Sequence, residues 1–160
     1  MTLEERLRAL IEVPEFRDMA ADARAVLAAA MREEFFAAGE IVVEAGEHAD
    51  RVFVVCAGNL AVTQPGRAGI VRTLERGALL GELAFFEGLV RTATVRAGID
   101  SVLLSLPFEN FRAFLIAHPG SALILAGRIV HVLRGLEAEI GRRQGSLDES
   151  GEPLASGATP

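Results

Sequence analysis

The chain has 160 residues, 51% of them hydrophobic, and a formal net charge of −6. That length and apolar content support one packed domain and exclude a disordered chain, and the acidic balance argues against a nucleic-acid-binding surface. No apolar run approaches the ~20 residues of a membrane span, and the charged start Met1 to Arg6 lacks the apolar core of a signal peptide, so a cytoplasmic location is expected.

Leu3 to Ile11 sets apolar residues at positions 3, 7, 10 and 11, which is one face of a helix. Pro14 interrupts it, and the alanine-rich stretch Met19 to Met31 reads as a second helix. From Glu34 the texture changes to short β-rich runs punctuated by Gly39, Gly46 and Gly58, the pattern of a barrel or sandwich. Thr63 to Arg67 carries a Pro-Gly hairpin signal. Gly69 to Leu74 reads as a further strand and Ser101 to Leu106 as a last buried one. Pro107 opens a helix whose apolar face holds Phe108, Phe111, Phe114 and Leu115. Ser121 to Arg143 is a long helical run. From Gly145 the residues are small and polar, which predicts a disordered tail over 145–160.

Cys56 sits in the apolar run Val52 to Cys56 and reads as a buried structural thiol. His48, His118 and His131 show no metal-ligand spacing, and no serine has the setting of an activated nucleophile. Neither a metal nor an enzymatic activity is expected.

The informative stretch is Gly81 to Arg96, G-E-L-A-F-F-E-G-L-V-R-T-A-T-V-R. A glycine turn that opens a short helix presents free backbone N–H groups, which suit a phosphate; those of Leu83 and Ala84 are the candidates. Arg91 has a guanidinium able to clamp an anion with two parallel hydrogen bonds. The competing reading is a solvated surface arginine. Glu82 would repel a phosphate, so its carboxylate either accepts from a ligand hydroxyl or caps the short helix. The Thr92 hydroxyl can donate to a phosphate oxygen or bond to a base. An anion clamp beside a hydroxyl acceptor describes a sugar phosphate.

G-E-L-A-x(6)-R-T-A-T-V is similar to the phosphate-binding cassette of the cyclic nucleotide-binding domain family, whose members serve transcription activators, kinases and gated channels. The resemblance covers roughly Phe36 to Ile140. It implies a mainly β fold with flanking α: a jelly-roll barrel over 34–106, N-terminal helices over 1–33, and C-terminal helices over 107–144 ending in a lid. The domain would run over 1–144. The implied ligand is cyclic AMP or cyclic GMP, held by Gly81, Glu82, Leu83, Ala84, Arg91, Thr92 and Ala93. Val71 and Leu80, with Leu79, would line the pocket. On the lid, Leu133 and Leu136 would meet the base, with Arg134 or Glu137 as polar contacts. Two departures stand out: Ala78 and Leu80 replace an acid and an aromatic before the cassette, and the lid lacks a polar pair at Leu136-Glu137. No helix-turn-helix follows in this sequence, so no direct DNA binding is expected. The signal would pass through a homodimer contact on the C-terminal helix or through an effector protein. The alternative is a degenerate domain that keeps the fold, binds no nucleotide and acts as an interaction module.

Overall fold

The computed structural model describes residues 1–88 and 90–144; the expected tail over 145–160 lies outside the described residues. Helix α1 (Leu3–Glu12) starts at a capping box in which Thr2 and Glu5 satisfy each other's backbone N–H groups. Pro14 does more than interrupt: it sits at the first position of a short helix, α2 (Pro14–Arg17), where its fixed φ fits and its missing N–H costs nothing. Helix α3 (Ala21–Ala30) follows.

Among the described residues, eight strands form two antiparallel sheets. Sheet A has the order β1 (Arg32–Phe36), β8 (Ser101–Pro107), β3 (Arg51–Ala57) and β6 (Leu79–Leu80). Sheet B has the order β2 (Ile41–Val43), β7 (Thr94–Ala97), β4 (Asn59–Thr63) and β5 (Arg72–Glu75). Two short segments differ from the sequence expectation. Sheet structure begins at Arg32, ahead of the boundary expected at residue 34, because pairing with Ser105 on β8 extends β1 through polar residues. The strand expected at Gly69 to Leu74 forms only at Arg72, because Gly66 and Gly69 hold φ near +77° and +74° and keep the preceding chain in a loop.

The inner faces meet in a core of Val43, Phe53, Val55, Leu60, Leu74, Val95, Ala97 and Leu103. This is the jelly-roll barrel with flanking helices. Helices α1 and α5 (Phe108–Ala117) pack on sheet A. The chain divides into two units, residues 1–125 and 126–160; helix α6 (Pro119–Gln144) contains the boundary. Among the described residues, no single helix is long and apolar enough to cross a membrane.

Candidate functional site

Strand β6 is two residues long because Gly81 follows it with φ +98°, a left-handed conformation that an L side chain resists. The chain turns there into helix α4 (Glu82–Glu87), which Gly88 ends at φ +68°. The first intrahelical bond runs from the Phe85 N–H to the Gly81 carbonyl at 3.1 Å. The N–H groups of Glu82, Leu83 and Ala84 precede it and have no helical partner, and no side chain caps the turn. Phe85 fastens α4 to α5 by edge-to-face contacts with Phe108 at 5.3 Å and Phe111 at 4.9 Å.

Arg91 is fixed from both its backbone and its side chain. Its N–H donates to the Glu47 carbonyl at 2.8 Å, and its carbonyl accepts from the Gly46 N–H at 2.9 Å. Its Nη2 donates to the Arg51 carbonyl at 2.8 Å. Its Nη1 lies 2.9 Å from where a Cβ on Gly81 would stand, so the guanidinium lies against the glycine. Arg91 is only 8% exposed and is thus a buried cation rather than a solvated one. Burial pulls its pKa below the ordinary guanidinium value, the Asp50 charge pushes it back up, and Arg51 adds a smaller downward push. A guanidinium stays protonated throughout, so this end of the barrel carries a fixed positive charge.

Glu82 is half-buried, and burial pushes its carboxyl above the ordinary carboxylate value. Its own backbone N–H opposes that rise, Glu15 on α2 adds to it, and Arg72 on β5 opposes it.

A cavity of about 490 Å³ opens beside these groups. Gly81, Glu82, Leu83, Ala84, Arg91, Thr92 and Ala93 all line it, as do Val71, Leu79 and Leu80. The structure therefore brings together every barrel residue that the sequence singled out. All the lining residues belong to the first unit. Leu133 lies in the second unit, 44% exposed, outside that lining; the side chain of Leu136 is outside the described set. Sequence reasoning missed Gln64, Arg67 and Arg72, which form the β4–β5 side of the cavity. It also missed the Arg51 carbonyl. Arg72 directly follows Val71, so the position of Val71 was the available signal. The backbone carbonyl had none. The cavity thus combines a buried cation, free backbone N–H groups, one carboxylate and apolar walls.

Residues 33–118 match the family model described as the cyclic nucleotide-binding domain. The chain belongs to the cyclic nucleotide-binding domain family. A cAMP-dependent protein kinase regulatory subunit from Yarrowia lipolytica is 34% identical over 106 residues, covering 66% of this chain and 28% of the relative. A cyclic nucleotide-gated potassium channel from Mesorhizobium japonicum is 32% identical over 112 residues, covering 70% of this chain and 30% of the relative. This cyclic nucleotide-binding domain therefore spans less than a third of the length of either curated relative. Among solved structures, the N-terminal domain of a transcriptional regulator from Streptomyces coelicolor A3(2) aligns with a TM-score of 0.71 at 29% identity, covering 80% of this chain and 94% of that one.

Proposed function

We propose that the domain is a regulatory sensor that binds a cyclic nucleoside monophosphate in the cavity at Gly81–Thr92. The observation that carries this reading is the buried Arg91, laid against Gly81 beside the N–H groups of Leu83 and Ala84, which have no helical partner. In this reading Arg91 and the N–H groups of Leu83 and Ala84 take the phosphate, whose negative charge the buried cation favours. Thr92 adds a hydroxyl and Ala93 leaves room for the ligand. Glu82 accepts from the ribose 2′-hydroxyl.

With phosphate and ribose so placed, the base falls toward the β4–β5 side. Val71 and Leu80 offer it apolar surface, while Arg72, Arg67 and Gln64 offer hydrogen-bond donors. Paired arginine donors match the O6 and N7 acceptors of guanine, whereas adenine presents an amino donor where guanine presents O6. Cyclic GMP is accordingly expected to bind more tightly than cyclic AMP.

The proposal includes a lid role for α6 and a readout through a second copy or an effector protein in the cytoplasm. A ligand that favours the closed lid shifts the population toward it. Hydrogen exchange over residues 121–143 with and without nucleotide reads that shift; equal protection in both states would remove the lid from the proposal. Calorimetry with cyclic GMP, cyclic AMP and their non-cyclic monophosphates tests the ligand. Absence of binding at millimolar cyclic nucleotide would leave the nucleotide-free interaction module as the better reading.

A further inference from the structure

The carbonyl that holds Arg91 belongs to a residue whose own side chain is tied down. Strands β3 and β6 pair only at Phe53↔Leu80 and Val54↔Leu79. Beyond that, Gly81 turns the chain away with φ +98°. The carbonyl of Arg51, at the first residue of β3, thus lies past the end of the β6 ladder, and the Arg91 Nη2 takes it at 2.8 Å. A Cβ on Gly81 would stand 2.7 Å from this carbonyl and 2.9 Å from the Arg91 Nη1, so the three groups are closely stacked. A small movement of the Arg51 backbone therefore moves the guanidinium.

The Arg51 side chain points to the opposite edge of sheet A. Its Nη1 donates to Glu34 Oε1 on β1 at 3.2 Å, and its Nε lies 3.4 Å from Asp50 Oδ1. The same Glu34 oxygen accepts from the hydroxyl of Ser105 on β8, a fully buried residue. A chain of polar contacts runs from Ser105 through Glu34 to Arg51 and on to Arg91. Glu34 and Asp50 both flank the Arg51 guanidinium, and the Asp50 charge also favours the Arg91 cation.

We infer that Arg51, held by Glu34, is a positioning residue for the phosphate clamp: the pair fixes the carbonyl that orients Arg91. This rests on the phosphate-clamp reading above. A partly exposed ion pair contributes little to stability by itself, so its effect should appear in the site and not in the melting temperature.

The test uses the full chain as wild type, Arg51→Met, Arg51→Lys, Glu34→Gln and the Arg51→Met/Glu34→Gln double variant. Two ligands are titrated by NMR, cyclic GMP and guanosine, the latter having no phosphate. Solvent exchange of the Arg91 Nε–H is measured in the ligand-free proteins. Arg51→Met and Glu34→Gln should each weaken cyclic GMP about fivefold while guanosine changes by less than about twofold. The double variant should be no worse than either single one, as expected for two members of one network. Arg51→Lys should recover most of the loss, and Arg91 exchange should accelerate in the two weakened variants. Equal weakening of both ligands, unchanged cyclic GMP binding, or unchanged Arg91 exchange would each overturn the inference. If wild type binds neither ligand, the phosphate reading fails, and the exchange comparison still decides whether Arg51 holds Arg91.

Discussion

The central strands of sheet A, β3 and β8, are covered on both faces, and the strands of sheet B are not. On β3 the run Val52 to Cys56 is buried without a break, and on β8 Leu103 to Leu106 is buried as well. The barrel core lies on one side of these strands and helices α1 and α5 on the other. Strands buried on two faces read as continuous apolar runs. On sheet B, burial alternates: β5 buries Leu74 between exposed Thr73 and Glu75, and β7 buries Val95 and Ala97 around exposed Arg96. The inner residues at one end of sheet B are then left to line the cavity, among them Val62 and Arg72. The closed sheet carries stability, and the half-open one donates its inner surface to the site.

The largest effects should come from breaking that division on the closed side. Leu103→Ala removes a fully buried side chain from the shared core and should cost about 3 kcal/mol. Val62→Ala, at the cavity wall, should cost under about 1 kcal/mol because the cavity already leaves its side chain part-exposed. Denaturant unfolding compares the two, and equal losses would mean that the sheets do not differ as described.

Gly81 stands between the two regimes. Gly81→Ala places a Cβ 2.7 Å from the Arg51 carbonyl, which is backbone and cannot swing aside, at φ +98°. The strain alone is worth about 2 kcal/mol, and the displaced Arg91 should abolish nucleotide binding along with it. Calorimetry on a variant that still melts cooperatively checks both. Binding at wild-type affinity would show that Arg91 need not lie against the glycine.

Arg91→Ala separates site from scaffold more cleanly. Cyclic-nucleotide affinity should fall at least tenfold, on the order of 1.4 kcal/mol, because the buried cation and its charge-assisted bonds are lost. Stability should fall by only about 1 kcal/mol, as the Arg51 carbonyl loses its partner. A large loss of stability with unchanged affinity would assign Arg91 to the scaffold.

The cassette was legible in the sequence because its parts are local. A glycine turn, a short helix, one arginine and the start of β7 at Thr94 lie within Gly81 to Val95, and the barrel expected around them formed. What stayed hidden depends on chain segments that meet only in three dimensions. Glu34, Arg51 and Ser105 come from three strands that only the order β1-β8-β3 makes neighbours. Arg72 reads as a solvated strand residue until β5 takes its place at the cavity. The burial of Arg91 follows from a backbone carbonyl, and no side-chain pattern announces that.

Glu82 carries the smallest effect and the one whose sign is most specific. Its folded-state pKa is raised, chiefly by burial, with Glu15 adding to the rise and its own N–H and Arg72 opposing it. Between the ordinary carboxylate value and the raised one, the folded protein holds a proton that the unfolded chain has lost. Stability therefore falls as pH rises through that window, and above it the buried charge is a constant cost. Glu82→Gln removes the charge and keeps the shape, so the variant should melt higher than wild type at neutral pH. The gap should close as pH falls toward about 4, where the wild-type carboxyl is protonated too. The same substitution should weaken cyclic nucleotides with a free 2′-hydroxyl while leaving a 2′-deoxy analogue nearly unchanged, because only the former needs the carboxylate as acceptor. Melting curves that stay parallel from about pH 4 to 7 would show that Glu82 is ionised at ordinary cost. Equal weakening of both ligands would remove it from the ribose site.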